Sequence, residues 1–180
     1  MKEKEQKIGL EAVVGILQKG WRETRQLTLD WIDKLALDQL NQELPRPGLN
    51  SFAKHIYEMG EVQKIYTAAL REEEPNLERV MGLTFEAQEI TAMTKEELIN
   101  FLNACDEEFY ETLKNINNWG KEVLIFGESF GEKRPKVALL ELLIRHESLH
   151  HGQFIAFGYM TGIEFPQSWI DAWALPPITT

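Results

Sequence analysis

The stretch PKVALLELLIRHESLHHGQFIAFGYMTG, residues 135–162, decides how the chain is read. It opens on a proline, tolerated in a first helical turn because the missing N–H has no partner there anyway, and it closes on Gly162. Between them the apolar residues recur at helical spacing. A single long helix is the reading. At about 100° per residue His146 and His150 lie only about 40° apart. They share a face with Leu139, Leu142, Leu143, Phe154 and Phe157, which is therefore the buried one. His151 lies about 140° round from His146 and reads as a rim histidine. The same residues also spell H-E-x-x-H, the spacing of zinc peptidases. That reading needs Glu147 as general base beside the metal and a further ligand downstream. Glu147, about 100° from His146, instead points to water or a neighbouring helix. Beyond His150 the only acids are Glu164 and Asp171, and the chain offers almost no sheet to hold a peptide. The peptidase reading is set aside.

Working outward, residues 5–42 carry apolar positions Ile8, Ala12, Val13, Ile16 and Leu17, then Leu27, Trp31, Leu35 and Leu40, with a change of register near Gly20-Trp21 where a kink or break is expected. ELPRPGLNS (43–51) is a loop, and Ser51 is a suitable N-cap for a helix over 52–72. That helix stripes Phe52, His55, Ile56, Met59, Val62, Tyr66 and Leu70 along one side. Residues 73–93 are the least periodic and read as a long connection with a short turn at most. Thr94-Lys-Glu-Glu97 has capping-box spacing and opens a third helix whose stripe includes Leu98, Leu102, Cys105 and Phe109. VLIF (123–126) reads as one short strand. The expected fold is all-α: one domain over 1–180, an antiparallel four-helix bundle. Trp169 and Trp173 in the tail are expected to cover one end of it or a partner.

The balance of 19 Lys+Arg against 29 Asp+Glu gives a formal charge of −10. Such a chain lacks the electrostatic term that drives phosphate-backbone binding, and the basic group Lys133-Arg134-Lys136 is too short to restore it. Nucleic-acid binding is excluded on that ground. No apolar run approaches the roughly 18 residues of a membrane span. No signal peptide is recognisable at the start, and the single cysteine, Cys105, rules out an internal disulfide. A cytoplasmic protein with no membrane partner is the expectation.

Three imidazoles, His55, His146 and His150, thus fall on two core-facing stripes. A buried imidazole costs free energy unless it gains a partner. It finds one in a hydrogen bond or in a divalent metal, and the i, i+4 pair suits two ligands on one helix. Three neutral imidazoles would leave a metal its full charge and an open position, the arrangement of a catalytic rather than a structural site. Gln153, one turn past His150, is placed to orient water or substrate. Glu58, one turn past His55, is placed to accept that ring's other N–H. Both have an ordinary polar contact as their alternative. Cys105 sits on an apolar stripe and reads as core.

PRPGLNSFAKHIYEMGEVQ followed by LLIRHESLHHGQFIAFGYMTGIEFPQSW resembles the DinB/YfiT-like superfamily, whose pattern is a histidine in the second helix plus H-x-x-x-H in the last long one. The likeness runs over nearly the whole chain. It implies a four-helix bundle, often dimeric, and a zinc or nickel ion held by His55, His146 and His150. Some branches are thiol-dependent S-transferases or isomerases using a low-molecular-weight thiol. By that analogy the chain is expected to be a homodimeric transferase acting on a small-molecule substrate. A metal-dependent hydrolase and a non-catalytic, stress-related metal-binding bundle are the alternatives.

Overall fold

The computed structural model describes residues 2–85, 89–90, 92–127 and 132–178, with side chains from residue 9 onward except that of Phe85. The chain is mostly helical. Four long helices, α1 (Lys2–Lys34), α3 (Phe52–Arg71), α5 (Lys95–Lys114) and α6 (Lys136–Thr161), are joined by the shorter α2 (Leu37–Asn41), α4 (Glu78–Phe85) and α7 (Gln167–Trp173). Both α1 and α3 pack against α5 and α6. Among the described residues the one sheet is a two-stranded hairpin of β1 (Glu122–Leu124) and β2 (Lys133–Pro135), antiparallel with Val123 opposite Arg134.

Local chemistry sets the helix ends where the sequence puts them. The Ser51 hydroxyl accepts from Lys54 N–H at 3.2 Å, satisfying a donor that α3 itself cannot pair. At α5 the box is reciprocal: Thr94 Oγ1 accepts from Glu97 N–H, and Glu97 Oε2 accepts from Thr94 N–H at 2.8 Å. Pro135 caps α6, and Gly162 ends it in the left-handed region at φ 70°.

Four expectations are corrected. The first helix passes through Gly20-Trp21 without a break, because Trp21 is fully buried edge-on against Phe109 and Gly20 lets Ile144 of α6 approach. It ends instead at Lys34, and α2 is a separate turn. Its amino-terminal half leaves Val13 and Ile16 exposed rather than in the core. Within 73–93 there is a real helix, α4. The strand stops at Leu124, with Ile125 buried beyond it, and its partner β2 comes from Lys133-Arg134-Pro135, residues with no strand pattern of their own.

The core falls into two clusters. One surrounds Trp21, Phe109, Leu140 and Val123. The other gathers Trp31, Phe52, Phe154, Phe165 and Trp169, and the histidines stand at its edge. Trp169 is fully buried and donates its indole N–H to Leu27 O at 2.7 Å, so α7 is tied into the body of the fold, whereas Trp173 is exposed. Gly158 is the close-contact point: a Cβ there would lie 2.6 Å from Phe165, whose ring is stacked on Trp31 and cannot swing away. Gly158→Ala is therefore expected to lower stability by about 1–3 kcal/mol, overriding the roughly 1 kcal/mol that alanine gains in a helix. Gly152→Ala, on the exposed side of the same helix with nothing within 4 Å, is expected to gain that amount. Thermal unfolding of the two variants should move the midpoint in opposite directions.

Candidate metal centre

Helix α3 brings His55 and Glu58 to one place, and α6 brings His146 and His150 to the same place. Three atoms form a tight triangle. Glu58 Oε2 lies 3.0 Å from His150 Nε2 and 3.5 Å from His146 Nε2, and the two Nε2 atoms are 3.3 Å apart. Glu58 Oε2 is buried and has no aligned hydrogen-bond donor despite these short separations. It is a carboxylate oxygen facing two ring nitrogens, with a cation's place among them. Tetrahedral ligands at about 2.0–2.1 Å from an ion stand roughly 3.3 Å from one another, so the triangle has the size a divalent metal requires.

His55 touches the cluster from behind. Its Nδ1 is 2.8 Å from Nδ1 of His150, so one ring donates to the other while Nε2 of His150 stays turned towards Glu58 and His146. The three histidines singled out from the sequence are thus brought together. Glu58, placed by the sequence as an acceptor for His55, instead faces His146 and His150. In this geometry His55 holds the ring of His150, and Glu58 supplies the third converging atom.

Protonation supports a cation site. Burial pushes the His55 imidazole down, with help from His150 and Arg46, to about 3, so it is a neutral ring in ordinary buffers. Burial likewise lowers His150. At Glu58 burial pushes upward, but contact with His146 and His150 outweighs it and holds the carboxyl at about 2, ionised. Neutral imidazoles and an ionised carboxylate are the forms a metal takes as ligands.

Gln153 is half-buried beside the cluster and accepts from Arg46 Nη1 at 2.8 Å. Arg46, in the loop before α3, was not singled out from the sequence. Its Nη1 also lies 3.4 Å from both ring nitrogens of His55. The one hint was its position in the P-x-P-G loop that feeds the histidine helix.

The opposite face of α6 corrects two readings. His151 is not on the rim: it is fully buried against Trp169, 2.7 Å from Thr28 Oγ1. Glu147 does not face water: it is 1% exposed, accepts from Thr28 and pairs with Arg25 at 3.1 Å. Since Thr28 spends its only proton on Glu147, Nε2–H of His151 is the donor to Thr28. Arg25 stacks on Trp21 and reaches Gln63, which in turn donates to Asp106. Glu147 is therefore committed to α1 and is turned away from the metal cluster, which removes the general base a zinc-peptidase site would need. Cys105 is buried core, its thiol pushed up to about 11 by burial.

A profile of the DinB family matches residues 11–167. The crystal structure of a DinB-like protein from Bacillus cereus ATCC 10987 is similar in fold, with a TM-score of 0.63 at 16% sequence identity, covering 83% of this chain and 93% of that one. No curated protein matches the sequence.

Removing one partner of a buried pair strands the other charge out of water. Arg25→Ala is expected to cost about 3–5 kcal/mol, since it strands Glu147 and also takes the cation 3.4 Å from Asp106, whereas Arg25→Met with Glu147→Leu should recover the Glu147 share alone. Urea unfolding midpoints of the two variants check this, and equal losses in both would show the pair to be inert. Cys105, protonated and covered, should resist iodoacetamide at pH 8 in the native protein and react fully in urea, which mass spectrometry reads directly.

Proposed function

Because this chain belongs to the DinB family, we propose that it is a metal-dependent enzyme of the thiol-dependent S-transferase type, with its long helices arranged as an antiparallel four-helix bundle around the site. A divalent ion, zinc or nickel, is held between α3 and α6 by His146 and His150, with a third ligand from α3. The observation that carries this reading is the triangle of Glu58 Oε2 and the two Nε2 atoms at 3.0–3.5 Å, in which a buried carboxylate oxygen faces two ring nitrogens with no aligned donor among the described residues. Two donors one turn apart on α3 compete for the third position. Glu58 has the geometry; His55 is the ligand that the family resemblance implies, and it lies one ring away.

When bound, such an ion supplies a positive centre that deprotonates a thiol or lowers the pKa of water. The chain's own residues do the rest. His55 fixes the plane of His150 through the Nδ1 contact. Phe154 and Phe157 pack edge-on to His55 and hold its ring in place. His146, half-buried where His150 is covered, marks the side from which a small molecule reaches the cluster. Glu147 and Cys105 take no part, the first being bound to Arg25 and the second enclosed in core.

Metal content per chain, by elemental analysis of untagged protein, tests the reading. Near-stoichiometric zinc or nickel is expected in the wild type and none in His146→Ala or His150→Ala. Of Glu58→Ala and His55→Ala, the variant that removes a ligand should lose the metal. The one that removes only a supporting contact should weaken binding by about 10–100-fold. The loaded wild type should conjugate a low-molecular-weight thiol to 1-chloro-2,4-dinitrobenzene faster than the spontaneous reaction, and a chelator should abolish the difference. A wild type that stays metal-free after remetallation sinks the proposal, and thiol-independent ester cleavage would move it to the hydrolase class.

A further inference from the structure

Among the described residues, Arg46 is a cation without a counter-charge: no carboxylate lies within ion-pair distance of it. Its single committed donor, Nη1, goes to the neutral amide oxygen of Gln153 at 2.8 Å. A guanidinium has five N–H donors in a rigid fork, so most of this one is unspent. Its place is unexpected on electrostatic grounds. It stands 3.4 Å from both ring nitrogens of His55, which in turn touches His150, so a fixed positive charge sits one imidazole away from a cluster shaped for a cation. The single acid of the cluster, Glu58, is turned towards His146 and His150 and does not reach it. Arg71, by contrast, is paired with Glu73 and Glu108. Arg46 is held by a neutral amide, with its charge left over at the side of the site.

We propose that Arg46 anchors a carboxylate of the small-molecule substrate, with Gln153 holding the guanidinium fork in the orientation that receives it. This rests on the metal reading above and names the class of substrate: a small thiol that carries a carboxylate, its sulfur reaching the histidine cluster while its anion pairs with Arg46. The bidentate fit of carboxylate to guanidinium makes the anchor selective for that group over a neutral polar end. It also brings to Arg46 the carboxylate that no described residue places within ion-pair distance of it.

Cobalt-substituted protein separates the two layers, because cobalt uptake reports the metal site and the thiolate-to-cobalt absorption band reports the thiol. Titration with 3-mercaptopropionate against 3-mercapto-1-propanol, alike except for the charged end, should show at least about tenfold tighter binding of the acid in the wild type. Arg46→Gln should keep its cobalt and its affinity for the alcohol and lose the preference. Arg46→Lys, a point charge without the fork, should keep part of it. Cobalt bound with no preference in the wild type, or a preference unchanged in both variants, overturns the anchor while the metal reading stands. No cobalt uptake by the wild type overturns the metal reading and the anchor with it.

Discussion

The buried pair of Arg25 and Glu147 is the constraint on which the rest of the structure depends. Neither charge has water to fall back on, and a charge left unpaired in the interior costs several kcal/mol. Glu147 must therefore meet α1, where Arg25 and Thr28 wait one turn apart, and His151 one turn further along α6 must meet the same threonine. Two polar contacts a turn apart leave α6 a single rotation and a single register against α1. That rotation turns His146 and His150 the other way, towards α3. The cluster is held in place from behind, by residues that never touch it.

The same fact explains why this part of the chain was hard to read. A helix packed on one side shows a stripe, and polar residues off the stripe are assigned to water. Helix α6 packs against both α1 and α3, so its apolar residues spread round the circumference, and residues 100° and 140° from the histidine face are still inside. Nothing local marks Glu147 or His151 as buried; only the partner on α1, more than a hundred residues away, does. By contrast, the starts of α3 and α5 were legible because an N-cap is a contact between residues three apart, which the sequence displays directly. The long histidine helix was legible for the same reason, through Pro135 and Gly162 at its ends.

The site was legible to a similar depth. Residue type and face singled out His55, His146 and His150. Which nitrogen faces which neighbour depends on how α3 and α6 cross, and that brings Glu58, expected beside His55, to face His146 and His150. Arg46 shows the limit of periodicity, since it has none: it lies in a loop, and its nearness to His55 comes from the chain doubling back to enter α3. Strand β2 was missed in the same way, because Lys133-Arg134-Pro135 becomes a strand by pairing with Glu122–Leu124 rather than by any apolar alternation.

Whether α3 supplies Glu58 or His55 changes the charge of the site by one unit, and that bears on the chemistry more than the fold does. Three neutral imidazoles leave a divalent ion its full charge, which favours holding a thiolate in anionic form. An ionised Glu58 as ligand halves the net charge and leaves the ion a weaker acid. Arg46 then matters more, as the remaining positive charge beside the cluster. The two α3 donors are therefore not interchangeable. With His55 as ligand, Glu58 stays close as a carboxylate beside two rings, where it can accept an imidazole N–H. With Glu58 as ligand, His55 keeps its contact to His150, and the lone pair on His55 Nδ1 accepts the hydrogen bond from the Nδ1–H that His150 carries when its Nε2 faces the ion. The observed Nδ1–Nδ1 separation of 2.8 Å is the contact that second arrangement needs.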